Sequence, residues 1–196
     1  MELSFHLGEL EASPLIIKIS TNYAFPLALQ APGGKPAWKD ADFVINQDVA
    51  TCDAWIVHEG LMRQETAHCP ASQVYLLTGE PPDIKTYEPR WLAGFPRVIT
   101  CHKDLRHPQV SLGQTALPWL VGRSYDELVA AGFPAKNSDV SVICSHKAMI
   151  DGHRRRMRFV QHLLELNPMP RFGRGFKDLP DKWEGLAPFR YSVAIE

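Results

Sequence analysis

Short apolar runs, rich in β-branched or aromatic residues, recur along the chain and end in polar residues. Near-continuous apolar runs of this kind are typical of strands that are covered on both faces, as they are in a parallel sheet. The seven predicted strands are Leu15–Thr21, Asp42–Asn46, Ala54–Gly60, Val74–Glu80, Arg97–His102, Val140–Cys144 and Tyr191–Glu196.

Segments of helical character lie between these strands, and strands that alternate with helices predict an α/β fold. The stretch Gly132–Asp139 is the candidate domain boundary, because its Gly and Pro end a helix and its polar run leads into a new strand. An ordinary loop is the alternative interpretation of that stretch. The predicted helices are Asp83–Phe95, Ser124–Ala131, Asp151–Leu166 and Pro180–Phe189.

Composition excludes several classes of protein. With 21 basic and 22 acidic side chains, the net charge of −1 gives no general reason to expect nucleic acid or an acidic membrane as partner. No window approaches the roughly 20 apolar residues of a membrane span. The first residues carry acids and no basic head, so we expect no secretory signal peptide. The 4 cysteines form no CxxC motif, so we expect reduced thiols in a cytoplasmic protein. No histidine shows the paired spacing of a metal site, so we expect no bound metal.

Polar residues at the strand ends are the first candidates for chemistry, because open α/β sheets bind ligands outside the carboxyl ends of their strands. Glu80 ends a predicted strand and is followed by Pro81 and Pro82, which stiffen the exit. A rigidly held carboxylate there is a candidate general base. The alternative is an acid that caps a helix starting near Asp83. Glu59 also lies at the end of a predicted strand, but the chain that follows it is less constrained.

The densest basic run is His153–Arg158 (HRRRMR), which is either a solvated helix face or a binding site. Helical spacing places Arg156 on the same stripe as Phe159, Val160 and Leu163, and a buried guanidinium needs an anionic partner. Arg156 also lies in the first turns of a helix whose expected cap is Asp151, where free N–H groups favour anions. Ser145-His146-Lys147 precedes this helix, and together these residues predict a phosphate site.

The familiar nucleotide motifs are absent from the sequence. Without GxxxxGK[ST], GxGxxG or GxSxG, we do not expect a P-loop NTPase, an NAD enzyme or an α/β-hydrolase. Gly173 and Gly175 form an isolated pair inside a turn, to which we assign no function.

Four blocks carry a family resemblance: DAWIVHEGL (Asp53–Leu61), LTGEPPDIKTY (Leu77–Tyr87), the loop and helix from Ser145 to Leu163, and DKWEGLAPFRYSVAIE (Asp181–Glu196). Together they resemble glycosyltransferase family 10, the α-1,3-fucosyltransferases, in its bacterial form. The second and fourth blocks are the distinctive ones. Pro118-Trp119 also follows at the expected point. The resemblance covers about residues 40–196.

The resemblance implies a GT-B-type enzyme with two Rossmann-like domains that face each other across a cleft. Residues 1–138 would form the acceptor domain and 139–196 the beginning of the domain that binds GDP-fucose. The implied reaction is inverting transfer of fucose to a galactose/N-acetylglucosamine-type acceptor, with no cofactor and no metal. Glu80 matches the base and Arg156 the arginine that holds the diphosphate. The other implied donor-binding residues are Ser145, Lys147, Tyr191 and Glu196.

The sequence departs from the family at its end. The family continues with Asn and a Tyr-x-x-Thr-Glu-Lys segment that binds the donor, so the resemblance implies that much of the nucleotide site lies outside this chain. The alternative function is therefore an inactive fragment or a glycan-binding stub of the same family. A third interpretation, nucleic-acid binding through His153–Arg158, requires binding that depends strongly on salt. Peripheral contact with a membrane is left open.

Overall fold

The computed structural model describes residues 13–195, and its larger part is a seven-stranded sheet. The strands run in the order β2-β3-β1-β4-β5-β6-β7, and every neighbouring pair is parallel except β2–β3. They are β1 (Leu15–Thr21), β2 (Ala37–Trp38), β3 (Ala41–Ile45), β4 (Ala54–His58), β5 (Val74–Leu77), β6 (Arg97–Thr100) and β7 (Val110–Leu112).

A smaller parallel sheet follows in the order β10-β8-β9. Its strands are β8 (Ser138–Ile143), β9 (Arg171–Phe172) and β10 (Phe189–Val193). The helices are α1 (Pro89–Leu92), α2 (Tyr125–Ala131) and α3 (Asp151–Leu166), of which α3 connects β8 to β9. The two sheets confirm an α/β, Rossmann-like fold. No helix in the described part of the chain is both long enough and apolar enough to cross a bilayer.

The strand order of the larger sheet indicates where a ligand crevice is expected. From β1 the chain passes to β3 on one side and then to β4 on the other, so the order reverses between β1 and β4. Open α/β sheets bind ligands at such a reversal, outside the carboxyl ends of the strands. Thr21 and His58 are register partners at those ends; Glu59 follows His58 directly, and Tyr23 lies two residues after Thr21.

All seven predicted strands are present, although several end earlier than predicted. Asn46 and Glu59 have positive φ angles of 51° and 66°, which take the backbone out of the extended conformation. The last strand begins at Phe189 rather than Tyr191, and Glu196 lies outside the described residues. The short strands β2, β7 and β9 were not predicted, because two or three residues are too few for an apolar pattern.

Two of the predicted helices are confirmed, with one correction to their caps. Ser124 caps α2 and forms a capping box with Glu127. The N-cap of α3 is Ile150, so Asp151 is the first helical residue rather than the cap, and its carboxylate pairs with Arg155 at 2.6 Å.

The other two helix predictions are wrong. The segment Asp83–Phe95 contains only α1, because Glu88 precedes a proline and is extended, with ψ at 131°. No helix begins near Asp83, so Glu80 is not a helix cap. The segment Pro180–Phe189 contains only a 3-10 turn, Lys182–Gly185, after which the chain enters β10.

The core lies between β4, β5, β6 and the chain around α1, with Leu76 and Val98 fully buried. A separate buried polar network fixes the segment after β4 to the sheet. There the fully buried Lys18 Nζ lies 2.7 Å from Glu65 Oε2 and 2.7 Å from the carbonyl oxygen of Gln47. Because both charged groups have hydrogen-bonding partners, the cost of burying them is offset.

Candidate functional site

A cavity of about 580 Å³ lies between the larger sheet and α3 and is here called the cleft cavity. Glu80 lines it from the carboxyl end of β5. Lys147, His153 and Arg156 line it from the loop before α3 and the first turns of that helix. The candidate base, Glu80, and the candidate phosphate-binding arginine, Arg156, are far apart in the sequence but line the same cavity.

Glu80 is held by the carboxyl ends of two other strands. Its Oε1 accepts a hydrogen bond from the Tyr23 hydroxyl at 3.0 Å, and its carbonyl oxygen lies 2.9 Å from His102 Nε2. Burial and the bond to Glu80 raise the pKa of Tyr23 to about 12, so the phenol keeps its proton at neutral pH. Within residues 13–195 no group donates to Glu80 Oε2. One carboxylate oxygen is thus fixed, and the other is available to a substrate proton.

A second cavity of about 350 Å³, the cationic cavity, adjoins the first, because Lys147 and Arg156 line both. Arg174 and Lys182 add two further positive side chains, and Trp119 and Ser145 complete the polar and aromatic lining. In the described part of the chain, no carboxylate lines this cavity and none of its four cations forms a salt bridge. Unneutralised cations around a concave site attract an anionic ligand.

Arg156 is half-buried on α3, one turn before the fully buried Val160, whereas Phe159, which was predicted on the same stripe, is 53% exposed. Among the described residues its guanidinium hydrogen-bonds only to Ser145, at 3.4 Å from the carbonyl oxygen and 3.5 Å from Oγ, and its buried Nε has no hydrogen-bond partner. Donors of a half-buried guanidinium that remain unbonded are well suited to phosphate oxygens.

The basic run His153–Arg158 separates into two groups. Only Arg156 and His153 line the cleft cavity, whereas Arg154 and Arg155 pair with Asp151 on the outer face of the helix. Those two pairs reduce the positive charge that the outer face could offer to a nucleic acid.

The turn Gly173–Arg174–Gly175, to which the sequence assigned no function, contributes Gly173 and Arg174 to the lining of the cationic cavity. Gly173 and Gly175 have φ angles of 112° and 84°. A Cβ on Gly173 would lie 2.3 Å from the carbonyl oxygen of Cys144, and one on Gly175 1.9 Å from His146 Nδ1. The two glycines therefore let the turn close onto the exit of β8 and bring Arg174 to the cationic cavity.

We expect Gly175→Ala to destabilise the protein more than Gly132→Ala. Both positions have positive φ, which costs a residue with a Cβ about 1–3 kcal/mol, but a Cβ at Gly132 would meet nothing within 4 Å. Chemical denaturation of the two variants separates backbone strain from the close approach to His146. Equal losses of unfolding free energy would show that the turn does not need this approach.

The remaining predicted donor-binding residues have different outcomes. Ser145 and Lys147 line the cationic cavity together with Arg156. Tyr191 does not reach it, because it lies on the edge strand β10 with 70% of its surface exposed and lines neither cavity. Glu196 lies outside the described residues. Arg174 and Lys182 were missed by sequence reasoning, and their only signal was a basic residue between two glycines and a lysine in a predicted helix.

No protein-family model, no curated protein and no solved structure matches this chain. Within residues 13–195, no three His, Cys, Asp or Glu side chains lie close enough to hold a metal ion.

His58, beside the crevice at the end of β4, is expected to make stability depend on pH. Its side chain is buried and its Nδ1 lies 3.1 Å from Thr21 Oγ1. Burial lowers the pKa of His58 below its ordinary value of 6.5, against the opposing effect of Glu59. The unfolded chain therefore binds a proton more readily, and stability falls as the pH drops below about 6.5, by at most about 1.4 kcal/mol per unit.

Urea denaturation between pH 7.5 and 5 measures this dependence. The His58→Gln variant is expected to lose part of the slope, whereas the variant of an exposed histidine, His162→Gln, keeps it. Identical slopes for the wild-type protein and His58→Gln would contradict the assignment.

Proposed function

We propose that this protein is a glycosyltransferase that transfers fucose from GDP-fucose, with inversion, to a galactose/N-acetylglucosamine-type acceptor. The observation that carries the proposal is that Glu80 and four cations, none of which forms a salt bridge within residues 13–195, line two adjoining cavities of one cleft. Inverting transfer needs such a pair of elements: a base for the acceptor hydroxyl, and positive charge for the departing nucleoside diphosphate.

The chemistry is assigned to this chain's own side chains. Glu80 Oε2 takes the proton of the acceptor hydroxyl while the hydroxyl oxygen bonds to the anomeric carbon of fucose. The bond from that carbon to the diphosphate breaks, and its electron pair leaves with GDP. Arg156, Lys147, Arg174 and Lys182 stabilise the charge that develops on the diphosphate.

The same proposal assigns the two sheets. The larger sheet, within residues 1–138, would bind the acceptor, and residues 139–196 would contribute to the donor site in a GT-B-type arrangement. The location of Glu80 on the larger sheet and of Arg156 on α3 supports this division. The identity of the sugar and of the acceptor rests on the family resemblance.

Isothermal titration with GDP and with guanosine tests the donor half of the proposal. GDP is expected to bind through the cations of the cationic cavity, and only weakly, because the resemblance places much of the nucleotide site outside this chain. Its affinity is expected to fall with rising salt, because these cations are partly exposed to solvent. Guanosine, which lacks the diphosphate, is expected to bind much more weakly. Equal binding of the two ligands, or no binding of GDP, would contradict the assignment of the cationic cavity.

A further inference from the structure

Glu59 has the most heavily bonded side chain of the crevice, and its backbone is strained. It follows β4 directly, has a φ of 66°, and its side chain is completely buried. A positive φ is uncommon for a residue other than glycine, and backbone strain of this kind concentrates at functional sites. Its carboxylate has four partners, and their positions indicate which part of the chain the strained residue holds.

Those partners lie at both ends of the segment that carries Glu80. Glu59 Oε1 accepts hydrogen bonds from the backbone N–H of Gly79, from the backbone N–H of Glu80 at 2.9 Å, and from the Tyr87 hydroxyl. Glu59 Oε2 pairs with Lys85 Nζ. One buried carboxylate therefore fastens residues 79–80, before the two prolines, to residues 85–87, after them.

The electrostatics indicate that Glu59 holds its neighbours and does not itself exchange protons. Burial raises its pKa, but the hydrogen bonds from Lys85, Tyr87 and the amides of Glu80 and Gly79 outweigh burial and lower the pKa below its ordinary value. Glu59 is therefore ionised at neutral pH, and the bonds to its neighbours occupy its acceptor sites. Glu59 also lines neither cavity, whereas Glu80 lines the cleft cavity.

We propose that Glu59 is the positioning residue for Glu80: it fixes the backbone on which Glu80 presents its carboxylate to the cleft. This inference rests on the proposed function, in which Glu80 is the base. Displacement of a reacting group by about 1 Å can cost on the order of 10²-fold in rate, so a buried anchor at the backbone of the base has a large effect on turnover.

The matched test compares Glu59→Gln with Glu65→Gln. Both replace a buried glutamate that is paired with a lysine, but Glu65 lies in the Lys18 network and touches neither Gly79 nor Glu80. A glutamine at position 59 cannot satisfy its partners in either orientation, because its NH2 group would face either the two backbone N–H groups or the Lys85 ammonium. The Glu65→Gln variant controls for general loss of stability.

Two readouts decide the inference. Amide hydrogen exchange at Gly79 and Glu80 is expected to be at least about tenfold faster in Glu59→Gln than in Glu65→Gln. In one orientation of the glutamine these amides lose their acceptor, and in the other their acceptor loses the ion pair with Lys85 that holds it in place. In GDP-fucose turnover, Glu59→Gln is expected to lower kcat on the order of 10²-fold with KM for the donor unchanged. Glu65→Gln is expected to lower the melting temperature and keep kcat.

The outcomes separate the positioning role from the proposed function. Unchanged exchange at Gly79 and Glu80, or equal losses of kcat in the two variants, would overturn the positioning role. A wild-type chain that releases no GDP would overturn the proposed function, and the exchange readout would still show whether Glu59 holds the Glu80 segment. If Glu59→Gln does not fold, Tyr87→Phe removes one of the four partners, and a fall in kcat without a change in KM is expected from it as well.

Discussion

Glu80→Gln is expected to transfer fucose about 10²–10⁴-fold more slowly than the wild-type protein, because an amide cannot accept the proton of the acceptor hydroxyl. Glutamine has the same shape, and its amide oxygen can still accept the hydrogen bond of Tyr23 that holds Glu80 Oε1. The fold and the affinity for GDP are therefore expected to remain. GDP release in the presence of acceptor measures the rate.

The matched control for this prediction is Glu88→Gln. Glu88 is exposed, lies on the same segment after β5, and makes no side-chain bond at the N-cap of α1. The Glu88→Gln variant is expected to transfer fucose at the wild-type rate. A Glu80→Gln variant that turns over as fast as Glu88→Gln would show that Glu80 is not the base.

Arg156→Met is expected to weaken GDP binding about 10–100-fold, since a hydrogen bond to a charged group contributes about 1.5–3 kcal/mol. Methionine retains an unbranched apolar stem beside Val160, so the change removes mainly the charge and its donors. Titration calorimetry at constant salt measures the effect, and a smaller dependence on salt is expected in the variant.

Arg158→Met provides the comparison on the same helix. Arg158 is exposed on the outer face of α3 and lines neither cavity. Its substitution is expected to leave the affinity for GDP unchanged. Equal losses in both variants would mean that the general charge of the helix attracts the ligand, rather than the geometry of the cationic cavity.

The larger features of the fold follow from local patterns in the sequence. The apolar runs at β1 and β4 predict strands because they alternate little and end in polar residues, and α3 follows from its apolar stripe. The failed helix at Asp83–Phe95 shows the limit of such patterns, because the proline at position 89 decides the backbone there. The pairing of β10 with β8 brings together residues about 50 positions apart, which no local pattern indicates.

Some residues of the candidate site could likewise be predicted from local patterns, and others could not. Glu80 and Arg156 were predictable, one from its place at a strand end and the other from its position on a helix. Arg174 was not, because its approach to the cavity depends on two glycines that pack against Cys144 and His146. The proposed role of Glu59 could not be predicted from the sequence either. The backbone N–H groups that donate hydrogen bonds to its carboxylate belong to residues 20 and 21 positions further along the chain.

Transfer by the wild-type chain is the most direct test of the proposed function. The protein would be incubated with GDP-fucose and a galactose/N-acetylglucosamine disaccharide, and GDP release and the mass of the sugar product would be followed together. We predict acceptor-dependent GDP release and a disaccharide that has gained one fucose, with both signals lost in Glu80→Gln. GDP binding without any fucosylated product would contradict the proposed glycosyltransferase activity. The alternative function, an inactive fragment or a glycan-binding stub of the same family, would then remain.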